Sequence, residues 1–145
     1  MTMMKTLEIS ATALAAHRTK VNVISENLAN SETTRTEDGG PYRRRLVVLK
    51  SKNLQPNFRQ TFDKASQEYN GVEVADIVKS QEDFRLVYNP AHPDADPLTG
   101  YVKMPNVDVL SEMADMLVAS RSYNASEKVM ENTKSMIKNA LTIGE

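Results

Sequence analysis

The 145-residue sequence contains no cysteine, which excludes disulfide bonds, thiol nucleophiles and cysteine-based metal sites. It also lacks a charge excess, because 18 lysine and arginine residues against 19 aspartate and glutamate residues give a formal net charge of −1. An electrostatic nucleic-acid binder needs a basic surplus on one face. No apolar run approaches the roughly 18 residues of a membrane-spanning helix. The N-terminus has no apolar block typical of a leader, so we expect neither membrane insertion nor a cleaved signal peptide.

Proline and glycine are missing from both ends of the chain. All six prolines fall between Pro41 and Pro105, and four of the five glycines lie in nearly the same window. Residues 1–38 and 106–143 contain neither of these breakers, which is typical of long uninterrupted helices around a punctuated centre. We therefore divide the chain into an N-terminal helical region, a loop- and strand-rich middle and a C-terminal helix: residues 1–35, 36–106 and 107–145.

The N-terminal region carries an apolar residue every seven positions. The members of this series are Leu7, Leu14, Val21 and Leu28. A second series at the intervening seam position is apolar only in its first half: Met4, Ala11, Arg18 and Ser25. The pattern predicts an amphipathic helix of about three and a half heptads.

The C-terminal region has the same seven-residue period. Its main series is Val109, Met116, Tyr123, Met130 and Ile137, flanked by Met113 and Leu141 among others. We predict a helix over about residues 108–142, led in by Pro105. At 1.5 Å per residue the two helices would be roughly 40 and 50 Å long, each about as long as a compact chain of this size is wide.

These lengths limit how the two apolar stripes can be buried. Either the two helices pair with each other, parallel or antiparallel, in a coiled-coil-like layer, or the stripes are covered by other molecules. An isolated helix is marginal in water unless its apolar face is packed. We therefore expect residues 1–30 and 108–142 to be largely disordered in the dilute monomer and to order on assembly.

The middle of the chain predicts short strands and loops. Candidate strands lie at residues 46–49, 72–78, 85–88 and 101–104, with Gly71 as the entry turn of the second. Residues 38–41 read as a turn and residues 89–100 as a proline-rich loop. The fold class that follows is mainly α with a small β insert.

The sequence gives little support for catalysis. His17 lies within the first helical pattern but off its apolar seam, so we interpret it as a polar surface residue. His92 with Asp94 and Asp96 could bind a divalent cation or serve a small hydrolase, but the spacing is not that of a calcium loop. A hydrogen-bonded turn is the favoured interpretation. We expect no catalytic residues, no metal, no cofactor and no small-molecule substrate.

Three consecutive arginines, Arg43 to Arg45, could form a phosphate or nucleic-acid patch. They abut the first predicted strand, and the overall charge is close to neutral. A solvated strand end or a patch facing a protein partner is therefore favoured. The two stripes leave one further functional class open, a soluble coiled-coil dimeric adaptor with a small β binding region.

Several segments are similar to a known protein family. Residues 21–30, Val-Asn-Val-Ile-Ser-Glu-Asn-Leu-Ala-Asn, resemble the N-terminal signature of the bacterial flagellar axial family of rod, hook and hook-associated proteins. Residues 33–44, 87–96 and 100–109 narrow the resemblance to its proximal basal-body rod members. The similarity is collinear and thin only around residues 50–70. Glu26 and Ser126 stand where the family often has asparagine.

The resemblance implies a structural subunit of the rod, the shaft that transmits torque from motor to hook. It implies polymerisation through the terminal helices, partners among its own copies and other rod subunits, and a periplasmic position in the basal body. It also implies export through the flagellar type III apparatus without a cleaved signal, with the export information near the N-terminus. The candidate assembly residues are Leu7, Leu14, Val21, Asn27, Leu28, Asn30, Val109, Met113, Met116, Tyr123, Met130, Ile137 and Leu141.

Overall fold

A computed structural model describes residues 2–37, 39–54 and 70–143. The elements in chain order are helix α1 (Thr2–Ala29), strands β1 (Arg45–Asn53), β2 (Asn70–Lys79), β3 (Arg85–Tyr88) and β4 (Tyr101–Met104), and helix α2 (Val109–Ile143). The predicted fold class, mainly α with a small β insert, is confirmed. Asp38 of the predicted turn at 38–41 lies outside the described residues.

The two long helices pair antiparallel, which decides the orientation that the sequence left open. Near one end of the pair, Asn27 of α1 is hydrogen-bonded to Glu112 in the first turn of α2. Near the other end, Leu7 of α1 and Met130 of α2 line the same groove. Among the described helices and strands, α2 packs against α1 alone.

The face of α2 that packs on α1 follows a heptad pattern. Most of its buried or half-buried positions alternate in steps of four and three: Glu112, Met116, Ala119, Tyr123, Ser126, Met130, Thr133 and Ile137. Half-buried Asp115 and Ser122 lie beside this series. The larger residues of this set are four of the predicted series. The alternate positions are small or polar side chains, and Ala119 is fully buried. Small residues at these positions let the two helix backbones approach closely.

The predicted leucine series of α1 is half-buried, but the second predicted series is wrong. Met4, Ala11, Arg18 and Ser25 are all exposed. The buried positions beside the leucines are instead Ser10 and Ile24, with His17 half-buried between them. The residue three positions after a leucine and the residue four positions after it lie on opposite sides of the leucine series. Spacing alone therefore does not show which side is buried. Tertiary packing decided which flank was covered.

His17 therefore does not lie on the open surface as predicted. It is half-buried, and its Nδ1 atom is enclosed without a hydrogen-bond partner. The histidine sits seven residues from both Ser10 and Ile24, on the flank of α1 that is covered. Its ring fills space in this buried flank and contributes no polar contact through Nδ1.

Strands β1 and β2 form an antiparallel hairpin that packs along α1. Val48 pairs with Asp76 and Leu49 pairs with Val74, so Ala75 is the extra residue of a β-bulge. The predicted strands at 46–49 and 72–78 lie within these longer strands. A bulge increases the local twist of a hairpin.

Gly71 is not the entry turn that the sequence predicted, because it lies inside β2 opposite Lys52. It is buried, and a Cβ atom at this position would lie 2.7 Å from Oγ1 of Thr12 in α1. The Thr12 oxygen accepts a hydrogen bond from the backbone N–H of Val72 at 3.2 Å. Glycine is required here because the strand passes so close to the helix.

Strands β3 and β4 form a second antiparallel hairpin with the bounds that the sequence predicted. Tyr88 pairs with Tyr101, and their rings meet edge to face with centroids 5.4 Å apart. The proline-rich loop at 89–100 joins the two strands. Asp108 then caps α2, its side chain accepting a hydrogen bond from the N–H of Leu110. Over the part of the chain that is described, no helix has the length and hydropathy to cross a membrane.

Candidate assembly interface

A buried polar cluster joins the two helices to the β hairpin. We call Asn27, Tyr42, Arg44, Arg45 and Glu112 the polar hub. Nδ2 of Asn27 donates to the backbone oxygen of Arg45 at 2.9 Å and to Oε2 of Glu112 at 3.0 Å. Its Oδ1 accepts from the Arg45 N–H at 2.9 Å and from the Tyr42 hydroxyl at 3.0 Å. This amide, 1% exposed, therefore has all four of its hydrogen bonds.

Glu112 is the charged member of the hub that water does not reach, since it is only 1% exposed. Its Oε1 accepts from Nε of Arg44 at 2.6 Å and pairs with Nη2 of the same guanidinium at 2.5 Å. A buried carboxylate requires such a partner, because desolvation otherwise disfavours the charged form. The backbone N–H of Arg44 is held in turn by Oδ1 of Asn106 at 2.8 Å.

Tyr42 completes the hub as a hydrogen-bond donor. Burial raises the pKa of its hydroxyl, an effect that the positive charge of Arg45 opposes and that Glu26 and Glu112 reinforce. The phenol is therefore protonated at neutral pH and donates to Asn27. The hub ties α1, the loop before β1, the start of β1 and the start of α2 into one unit.

The solvated strand end that the sequence favoured describes only Arg45 of the arginine triplet, which is exposed, whereas Arg43 and Arg44 are half-buried. Arg43 donates to the carbonyl oxygens of Ser80 and Glu82 and lies over the ring of Phe84, 4.3 Å from its centroid. Arg44 holds Glu112, and Arg45 pairs with Glu26 at 3.0 Å. Each guanidinium is thus committed to an intramolecular partner that lies far away in sequence.

The loop that contains His92 is held by hydrogen bonds, as the favoured interpretation of this segment proposed. Asp94 accepts from the Thr34 hydroxyl at 2.8 Å and pairs with Arg35 at 2.6 Å. The Thr34 hydrogen bond lowers the pKa of the Asp94 carboxyl, and the charge of Arg35 lowers it further. Nδ1 of His92 accepts the Asp94 N–H at 3.1 Å. Within residues 2–37, 39–54 and 70–143, no group of three potential metal ligands comes together.

The structure places the predicted assembly residues in three settings: along the helix pair, at or near the hub, and on the exposed surface. The leucine series of α1 and Met116, Tyr123, Met130 and Ile137 of α2 lie half-buried along the helix pair. Asn27 belongs to the hub, and half-buried Asn30 donates to the carbonyl oxygen of Glu26 at 2.9 Å. Val109, Met113 and Leu141 are exposed.

Further exposed apolar residues of α2 extend this outward surface. Leu110 is 78% exposed, and Leu117 and Val118 are also exposed. Sequence reasoning missed Leu110 and Val118, because it followed only the strongest heptad series. The spacing of Leu110, Met113 and Leu117, in steps of three and four, was the signal that could have identified a second apolar face.

Comparison with known proteins places these features in one family. Residues 7–35 match the family described as "Flagella basal body rod protein", and residues 98–143 match "Flagellar basal body rod FlgEFG protein C-terminal". The chain is 42% identical over 151 residues to the flagellar basal-body rod protein FlgC of Bacillus subtilis, with 100% of both chains covered. It is 41% identical over 145 residues to the FlgC protein of Salmonella typhimurium, again with full coverage. The Borreliella burgdorferi FlgC protein is 39% identical over 99% of this chain and 98% of its own length.

Proposed function

The chain belongs to the FlgC family of flagellar basal-body rod proteins, and from this premise we propose that it polymerises into the rod through its two terminal helices. As a member of that family it is a structural subunit and not an enzyme, it is located in the flagellar basal body, and it assembles with other rod components. The proposal concerns the surface through which the subunit assembles.

One observation carries this proposal. Helix α2 packs against α1 alone among the described elements, and its opposite side presents Leu110, Met113, Leu117 and Val118 to solvent. Between Val109 and Ser126 the only charged residues are Glu112, Asp115 and Arg121. The first two are paired with Arg44. An apolar, nearly uncharged helix face is typical of a protein–protein interface.

The energetics favour several neighbours over one. Each fully buried Leu, Val, Met or Ile side chain contributes roughly 1.5–3 kcal/mol, and ordering the backbone costs about 1–2 kcal/mol per residue. The pairing of α1 with α2 buries one seam and leaves the outward face of α2 uncovered. Contacts with neighbouring subunits along this face would supply the missing burial.

We also propose the finer location and route. The subunit would lie in the periplasmic part of the rod and transmit torque, and it would reach that position through the flagellar type III export apparatus. The family resemblance of residues 21–44 supports this proposal. The absence of cysteine is compatible with it, since the chain needs no disulfide to be opened before export or formed after it. Deletion of residues 2–10 should then leave the chain in the cytoplasm of flagellated cells.

A charge on the outward face tests the assembly proposal. Leu117→Asp should remove the chain from detergent-extracted hook–basal bodies analysed by quantitative mass spectrometry. The matched control, Gln81→Asp, adds the same charge to an exposed residue outside both helices and should incorporate normally. Circular dichroism of both purified variants should match the parent chain. Normal incorporation of a correctly folded Leu117→Asp subunit would contradict the proposal.

A second variant tests the helix pair itself. Val21→Asp places a carboxylate on the half-buried series of α1 and should abolish incorporation while leaving the β region folded. The comparisons do not favour the dimeric adaptor. A discrete dimer in sedimentation, together with absence of the chain from complete basal bodies, would restore that alternative.

A further inference from the structure

The outward side of α2 begins with a compact ridge. We define the ridge as Leu110, Met113 and Leu117, followed one turn later by Arg121. The three apolar residues are exposed and lie on the side of α2 that faces away from α1. Anchors spaced at i, i+3 and i+7 are the pattern by which one helix lies in the groove of another protein. Arg121 makes no ion pair with any other described residue.

A groove of matching character lies at the opposite end of the helix pair. We call it the seat. It has a volume of about 590 Å³ and is lined by Met4, Leu7, Glu8, Ala11, Met130 and Lys134. Its lining is largely apolar, since half-buried Leu7 and Met130 and the side chains of Met4 and Ala11 contribute to it. Methionine side chains adapt readily to the shape of an incoming partner.

One pair of charges on the two surfaces is of opposite sign, Arg121 after the ridge and Glu8 at the rim of the seat, while Lys134 at the same rim has the sign of Arg121. Glu8 and Lys134 stand exposed at the rim of the seat, and neither makes an ion pair with another described residue. A ridge that enters the seat would bring Arg121 within reach of Glu8 once the apolar anchors are in place. Unpaired charges at the rim of an apolar groove contribute more to register and partner choice than to raw affinity.

We propose that the ridge of one copy docks in the seat of a second copy, with Arg121 beside Glu8. The two surfaces cannot meet within one chain. In the antiparallel pair, Glu8 lies across from the Met130 region. That region is 13 residues beyond Leu117 and nine beyond Arg121, which corresponds to about 20 Å and about 14 Å along the helix. Because ridge and seat are different surfaces, the contact is heterologous and repeats head to tail. This inference rests on the proposed assembly through the terminal helices and names its contact.

The cysteine-free sequence allows a direct test. A chain carrying both Glu8→Cys and Arg121→Cys is assembled into basal bodies, oxidised, and analysed by non-reducing electrophoresis with mass-spectrometric identification of the linked peptides. A disulfide requires Cα atoms within about 7 Å, so an intrachain bond is excluded by the separation above. We expect a ladder of covalent multimers joined between positions 8 and 121, and no bond in either single-cysteine chain.

Other products would overturn the inference. Dimers from the Glu8→Cys chain alone would mean that two seats face each other. Bonds to a different rod subunit would mean that the occupant is not a second copy. Absence of any bond, while the double-cysteine chain incorporates and Leu117→Asp does not, would reject the seat and leave the proposed function intact. Normal incorporation of Leu117→Asp would reject the proposed function itself.

Charge reversal supplies an independent measurement. Glu8→Arg and Arg121→Glu should each lower the number of incorporated subunits roughly five-fold, as expected for loss of an exposed ion pair, and the double variant should recover most of that loss. Both positions are exposed, so the fold should tolerate the changes, which circular dichroism checks. A double variant that incorporates no better than the weaker single variant would contradict the pairing of Arg121 with Glu8.

Discussion

Asn27 near the end of α1 donates a 3.0 Å hydrogen bond from Nδ2 to Oε2 of Glu112, 85 residues later in the first turn of α2. Both side chains are buried, so water could not replace this hydrogen bond if one helix shifted along the other. The bond therefore specifies which turn of α1 meets which turn of α2. A buried polar pair inside a helix contact is a well-attested device for setting register.

Replacing Asn27 by alanine should destabilise the chain strongly. The change leaves the Tyr42 hydroxyl and the backbone groups of Arg45 without partners in a buried site, which costs about 2–4 kcal/mol. Urea unfolding followed by circular dichroism measures this loss. Asn30→Ala, three residues further on, removes only local hydrogen bonds of a half-exposed side chain and should cost less than about 1 kcal/mol. Equal losses in the two variants would mean that the hub has no special role.

Replacing Glu112 by alanine should be equally severe for a different reason. It leaves the guanidinium of Arg44 at the hub without its buried counter-charge, a change that typically costs about 3 kcal/mol. Asp115→Ala is the matched control, because Asp115 lies 3.6 Å from the same guanidinium with its side chain 46% exposed. Its loss should cost no more than about 1 kcal/mol. A small effect of Glu112→Ala in thermal unfolding would contradict the account of the hub.

The loop around Asp94 should loosen in acid. The folded chain holds the pKa of this carboxyl below its ordinary value, mainly through the Thr34 hydrogen bond. The contribution to stability is therefore present above the unfolded pKa of the carboxyl, and it is lost as the pH falls through the folded pKa, which lies below the ordinary range of an aspartate. NMR titration of the Asp94 carboxyl measures the shift.

Two variants separate the causes of that shift. Thr34→Val should raise the pKa of Asp94 more than Arg35→Gln does, because the Arg35 side chain is 79% exposed and its charge is screened by water. The reverse order would show that the ion pair, and not the hydroxyl, holds the loop.

Hydrogen exchange should be uneven along the helix pair. Both helices are formed throughout the described residues, and the predicted disorder of the dilute monomer remains a prediction. The hub secures only one end, whereas Met4 and Leu141 near the other end are 68% and 70% exposed. Amides of residues 3–10 and 130–143 should therefore exchange fastest, and those of residues 20–28 and 112–119 slowest.

Assembly should remove that difference. In isolated basal bodies the fast amides should become protected, because neighbouring subunits cover the free end of the helix pair. Uniform fast exchange along both helices in the monomer would support the original expectation of disorder over their full length. Uniform slow exchange would contradict both the expectation of disorder along the whole helices and the expectation of fast exchange at one end.

Much of the fold followed from local patterns. The breaker-free ends and the heptad series together predicted both helices, although α1 ends at Ala29, nine residues before the breaker-free stretch does. The strands at 85–88 and 101–104 were predicted with their observed bounds. One of the two series that form the seam of α2 was also predicted from Met116 onward, because its members repeat every seven positions, whereas Val109 at the start of that series is exposed. These features depend on neighbours within one or two turns, which is the range over which sequence periodicity carries information.

The predictions that were wrong depend instead on contacts between residues that are distant in the chain. The second series of α1, beginning at Met4, fits the seam spacing as well as the one beginning at Met3, and only burial of Ser10 and Ile24 distinguishes them. Gly71 resembles a turn residue until α1 is seen to pass beside it. No local pattern distinguishes a glycine that permits a turn from one that permits a close approach.

By itself, the sequence determined the two long helices, the small β insert and, through its resemblance, the rod family, since each of these is written in runs of adjacent residues. Only the tertiary structure decided the antiparallel orientation, the buried flank of α1 and the partners of the arginine triplet. Those features are contacts between residues that are distant in the chain, such as Asn27 with Glu112. Their energy depends on which side chains the fold brings within hydrogen-bonding distance, and sequence periodicity contains no information about that.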